Sequence, residues 1–249
     1  MKISLRLVVL YFSLFFFAIV SVYGQQRPNV KITFVNYING YPLVLDAGFT
    51  NCWKENFTIH TLKYYVSNIA LQTTSQQIHQ EPNSYHLLNE ADSNANSWSF
   101  YLPAGEYDSL FFLIGVDSLK NVSGAQTGAL DPLNGMFWTW NSGYIMFKIE
   151  GSSPQSSVVN NKMEYHIGGF SGVNNTLKKT RMAFSKTAIS VSDKSLTEII
   201  IRFDIDKIWQ ATIPIKITDT PVCTTPGTLA AGIAANYSRA FDIIKIVQQ

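Results

Sequence analysis

The residue types in this chain best suited to holding a metal ion are its four imidazoles and a Trp-Thr-Trp run. A neutral imidazole nitrogen is the commonest protein ligand for transition metals. His166 lies in Glu164-Tyr165-His166-Ile167-Gly168-Gly169, where two glycines let another chain segment or a bound ion come close. His60 shares strand parity with Leu62, Tyr64 and Val66, which places it toward the interior or the rim. His86, beside Leu87, reads as a half-buried, satisfied imidazole, and His79 as a solvated loop residue.

In extended geometry Trp138 and Trp140 share one face, with Met136 beside them. Such a face packs as core, each buried indole N–H then needing a partner, or shields a soft ion such as Cu(I). Other chemistries lack their signatures. The chain has no GxSxG elbow, HExxH pair, phosphate-cradling glycine loop or acid-rich calcium loop. Asp204 and Asp206 alternate with Phe203 and Ile205 and read as a solvated strand face. Asp117 and Asp131 adjoin turn residues and read as makers of Asx-type backbone bonds rather than general bases. The expectation is a binding protein and not an enzyme.

The elements that must position these residues are strands. Val30 to Val35 alternates with period two, and Phe57 to Leu71 is long, β-branched and aromatic. Ser84 to Leu88, Trp98 to Leu102, Ser109 to Val116, Tyr144 to Ile149, Met163 to Ile167 and Leu196 to Ile205 continue the series. Helical signals are confined to Thr228 to Ala240 and a turn near Asp206 to Trp209. Many short strands between turns imply an all-β, single-domain β-sandwich or Greek-key fold over residues 25–249. Asn121 to Asn141 is a long irregular segment rich in Gly, Asn and Trp, of the kind that carries function.

Residues 1–24 read as a secretory signal: Lys2 and Arg6, an apolar run from Leu7 to Val20, then Ser21 to Gly24 before Gln25. Periplasmic or extracellular location follows, with no membrane span after cleavage. Removing Lys2 and Arg6 from the 19 basic residues leaves 17 against 17 acidic ones, a balance that argues against a nucleic-acid partner. Cys52 and Cys223, the only cysteines, most simply form a disulfide in an oxidising compartment, stabilising by about 4–5 kcal/mol through loop closure. A pair of thiolate metal ligands is the alternative.

The run from Gly128 to Tyr144, GALDPLNGMFWTWNSGY, resembles the signature of the MbnP-like family of exported copper-binding proteins. These proteins are associated with methanobactin systems and related to copper-repressible surface proteins of methanotrophs. Tyr64 to Ile69, Phe112 to Asp117 and Tyr165 to Gly168 fit the same family in order. The resemblance implies a β-sandwich-like domain with one copper site, for acquisition or storage. In that site imidazoles bind Cu(I) beside a Trp oxidised to kynurenine by a di-haem partner of the cytochrome c peroxidase type. Carried over, Trp138 or Trp140 is the candidate for oxidation, with Met136 and Tyr144 behind it. His166 is the candidate imidazole, with His60 as the second and His86 behind it. Relatives often carry a Cys after the HxG segment, where this chain has Gly169-Phe170-Ser171-Gly172. A metal-free surface module that binds a glycan or protein through the exposed aromatics is the competing reading.

Overall fold

The computed structural model describes residues 26–124, 126–139, 142–184 and 187–249. The expected signal segment and Trp140 lie outside the described residues.

In chain order the strands are β1 (Val30–Ile38), β2 (Tyr41–Pro42), β3 (Gly48–Thr50), β4 (Asn56–Thr73), β5 (Ile78–Gln80) and β6 (Tyr85–Asn89). Then come β7 (Ser97–Phe100), β8 (Gly105–Ile114), β9 (Phe137–Thr139), β10 (Gly143–Ser152), β11 (Lys162–Gly168) and β12 (Lys178–Ala183). The last are β13 (Ile189–Val191), β14 (Thr197–Asp204), β15 (Val222–Cys223) and β16 (Phe241–Gln248). Among the described residues three short α-helices accompany them: α1 (Ser118–Asn121), α2 (Asp206–Trp209) and α3 (Thr228–Tyr237).

The all-β sandwich expected from the sequence is what forms. The smaller sheet runs β16-β14-β1-β2, with β7 also on β1; the larger runs β12-β8-β4-β10-β11-β15, with short strands attached to β4, β8 and β10. In β1 and β14 buried side chains alternate with half-buried ones, so one face of each strand is turned into the core. These two strands pair in parallel, Val30 opposite Thr197 through Tyr37 opposite Asp204. The intervening chain is the crossover that such pairing requires, and it builds most of the larger sheet. Between the sheets lies an aromatic core in which Phe34 stacks on Trp98, with ring centroids 5.8 Å apart. Phe34 also meets Phe112 edge-on, and Tyr64 packs on Phe203.

The cysteines correct one expectation: both are free, Cys52 exposed and Cys223 buried. Cys223 is fixed on β15 opposite Tyr165 of β11, whereas Cys52 sits in the turn between β3 and β4. Burial pushes both thiols above their ordinary pKa, so neither is primed as a thiolate.

The outer face of the larger sheet is covered over part of its area. On β4, Tyr64, Tyr65, Val66 and Ser67 are buried consecutively, as are Gly143 to Phe147 on β10. Consecutive burial along a strand means that both of its faces are covered at that point. The cover is the chain from Val116 to Trp138. It builds a second, smaller core from Tyr65, Val116, Leu130, Met136, Tyr144, Ile145 and Met146, with Trp138 partly buried against them.

Candidate metal centre

Polar bonds tie the covering segment to the sheet. Tyr65 Oη donates to the Ala129 carbonyl and Tyr144 Oη to that of Leu130, while Lys63 Nζ donates to Asn134 O. Buried Asn121 accepts the Tyr144 N–H and donates to the carbonyls of Val116 and Asp117. Asp131 and Asp117 accept backbone N–H groups from Leu133 and Lys120, the Asx-type bonds anticipated from sequence. Met136 and Tyr144 are fully buried in this second core.

At the end of this cover Trp138 lies on β11. A β-carbon built on Gly168 would sit 2.6 Å from Trp138 Cζ3 and 2.9 Å from the Tyr144 carbonyl oxygen, so the absence of a side chain is what admits the ring. Side chains two apart on a strand share a face, about 7 Å apart along it. Gly168, His166 and Glu164 are therefore successive positions of the outer face, and Trp138 meets the YHIGG segment there at Gly168.

Pairing extends this face into rows. Lys63, Lys148 and His166 stand opposite one another on β4, β10 and β11; one step along, Thr61, Glu150 and Glu164 do the same. His166 Nε2 is 2.7 Å from Glu150 Oε1 and 3.5 Å from Glu164 Oε1. Lys148 Nζ is 3.5 Å from Glu150 Oε1, and Lys162 Nζ is 2.7 Å from Glu164 Oε2. The hydrogen bond from His166 holds the Glu150 carboxyl down to about 2, aided by Lys148 and Thr61 against the opposing effect of burial. One nitrogen of His166 and one oxygen from each carboxylate lie within 4.8 Å of one another, the one such metal-donor group among the described residues.

The other imidazoles are elsewhere. His60 falls where the β4–β10 register shifts: Thr61 opposes Glu150 and Ile59 opposes Gly151, leaving His60 as the extra residue of a bulge. The bulge breaks the parity count from Leu62, so His60 is exposed rather than interior, bonded to Asp46 and facing Thr58. His86 pairs across from Val66, on the inner face. It stacks on Trp98 with centroids 3.7 Å apart and bonds to Glu81. His79 meets Tyr107 edge-on. Among the described residues no second imidazole adjoins His166, and a low-coordinate Cu(I) site of two imidazoles is not assembled there.

Sequence reasoning passed over Glu150, Glu164 and Lys148. The signal was present: Glu164 has the parity of His166, and Lys148 and Glu150 share the parity that alternates with Phe147 and Ile149. What was missing was the hairpin register that sets β10 against β11.

The family profile described as MbnP matches residues 27–225. Among solved structures, "MbnP from Methylosinus trichosporium" superposes with a TM-score of 0.53 at 14% identity, covering 80% of this chain and 83% of that one. At that identity the likeness is one of fold. No curated protein matches the chain.

Proposed function

Because the chain belongs to the MbnP family, we propose that it is an exported copper-binding protein for copper acquisition or storage, and not a catalyst. His166 is its imidazole ligand and Trp138 the wall of its site. The observation that carries this reading is the seating of Trp138 against Gly168, one strand step from His166 on the same face. Bound copper would supply an ion to be carried, while this chain supplies the donors and a partly covered surface that limits water. Trp138, only partly buried, is open to an external oxidant, as the di-haem partner expected from the family resemblance would be. Conversion to kynurenine adds an oxygen to each carbon of the pyrrole double bond, using the oxidising power of two peroxide molecules, and hydrolysis then releases one carbon as formate. No helix among the described residues is long and apolar enough to cross a membrane.

The test is copper titration of protein from its native exporter, with and without His166→Ala, beside peptide mass analysis. A weakened site in the variant is the expected result. A Trp138 peptide heavier by about 4 Da, one oxygen gained and one carbon lost, would mark the oxidation. Equal affinity in both proteins would remove His166 from the site, and no copper binding by either would return the chain to the class of metal-free surface modules.

A further inference from the structure

The geometry points to a divalent transition-metal site of one imidazole and two carboxylates, His166 with Glu150 and Glu164, better matched to Cu(II) or Zn(II) than to Cu(I). The inference rests on the reading of His166 as a metal ligand and specifies the donors that accompany it. Three observations on the outer face of β10 and β11 support it.

The first is spacing. Tetrahedral ligands with bonds of about 2.0–2.1 Å sit about 3.3 Å from one another. Nε2 of His166 lies 2.7 and 3.5 Å from the two carboxylate oxygens, so small side-chain shifts bring all three around one ion. The ion would replace the proton shared by Nε2 and Glu150 Oε1, that proton passing to solvent as the metal enters.

The second is register. Glu150 and Glu164 stand directly opposite on neighbouring strands, an arrangement in which like charges repel. Lys162 engages only Oε2 of Glu164 and leaves Oε1 turned toward His166. Lys148 approaches Glu150 at 3.5 Å, longer than a good charge-assisted hydrogen bond. Positive charge near the carboxylates is thus present but not closely fitted at the point where the three donors converge.

The third is donor chemistry. Imidazole with carboxylates is a borderline-to-hard set, and for such sites divalent affinity peaks at Cu(II). Cu(I) favours thiolate and thioether donors. The methionines that could offer sulfur, Met136 and Met146, are fully buried in the second core, and Met146 Sδ already accepts the Val116 N–H.

The decisive experiment titrates the tag-free mature chain separately with Cu(II), Zn(II) and, under reductant, Cu(I), each against a chelator of known affinity. Glu150→Gln, Glu164→Gln, His166→Ala and Lys148→Met are run alongside, with thermal unfolding to confirm folding. Expected are one divalent ion per chain, a loss of about tenfold or more in Cu(II) affinity for each Gln variant, and a Cu(II) resonance spectrum with one coupled nitrogen that His166→Ala abolishes. Lys148→Met should bind Cu(II) more tightly, because its ammonium competes for Glu150. Cu(II) affinity unchanged in both Gln variants, but lost in His166→Ala, overturns the carboxylate inference and leaves the copper reading standing. Binding of Cu(I) alone, dependent on His166, has the same meaning. Affinity unaffected by His166→Ala overturns both. Gln variants that lose only thermal stability would show that the carboxylates form a salt-bridge network and are not metal ligands.

Discussion

Gly168 leaves vacant the space that the six-membered ring of Trp138 fills, so one missing side chain joins the long covering segment to the strand that carries His166. Both faces of the larger sheet thereby acquire a core: the aromatic one between the sheets, and a smaller one beneath the segment from Val116 to Trp138.

Gly168→Ala tests that joint. Its methyl group would overlap Trp138, and such overpacking costs about 1–3 kcal/mol. We expect the Trp138 emission, isolated by difference against Trp138→Phe, to shift to the red while the far-ultraviolet spectrum stays β-rich. Unchanged emission and stability would mean that the ring rests elsewhere.

Asn121→Ala should loosen the cover without unfolding the sandwich. The change strips partners from the Tyr144 amide and from the carbonyls of Val116 and Asp117. Leaving such buried groups unsatisfied costs about 2–3 kcal/mol. Hydrogen exchange at the Tyr144 amide should accelerate well beyond that at β1 or β14, and a uniform change across the molecule would contradict a local tether.

The two histidines first singled out should behave differently. His60→Ala removes an exposed ring bonded to Asp46 and ought to leave copper affinity within experimental error of the parent. A loss as large as that from His166→Ala would place His60 in the site.

The same contrast shows what could be read in the sequence. Alternation in VKITFV revealed a strand and its buried face directly, and the apolar run from Leu196 to Ile205 revealed its partner. The parity rule then failed at His60, because a single bulge reverses the face of everything beyond it and leaves no mark in composition. The edge strand β16 was missed because FDIIKIVQ is only partly buried and lacks strict alternation. The carboxylates around His166 escaped notice because they converge through strand pairing, whereas the glycines after His166 are visible in sequence.

Cys52 should react with an alkylating reagent in the native protein, and Cys223 only after unfolding, as their exposure dictates. Cys52→Ser should change stability by no more than about 0.5 kcal/mol. A denatured, unreduced protein without free thiol would instead restore the disulfide.

Glu55 gives the fold a defined acid response. Buried in the turn before β4, it accepts hydrogen bonds from Asn51, from the Ile217 and Thr218 amides, and from the Thr218 hydroxyl. Burial alone would raise its carboxyl pKa, but these bonds outweigh it and hold the group below its ordinary value of 4.5. A depressed folded-state value means that the stabilisation is fully present above that ordinary value and fades as pH falls below it. Glu55→Gln should be less stable at neutral pH, by about 1–3 kcal/mol for a charged, bonded acceptor. Its deficit should shrink under acid; a deficit constant from neutral pH to about 3 would rule out Glu55 as the titrating group.

The parallel seam between β1 and β14 has a bearing on biogenesis. A polypeptide that emerges amino end first must hold its earliest strand without its longest neighbour until Thr197 to Asp204 has been made, bordered only by the brief strands β2 and β7. Pairings so remote along the chain form slowly, and an open apolar strand edge invites association with other chains. Truncation anywhere ahead of Thr197 would make that vulnerability permanent, leaving half a sandwich with a sticky border in place of a smaller version of the same molecule.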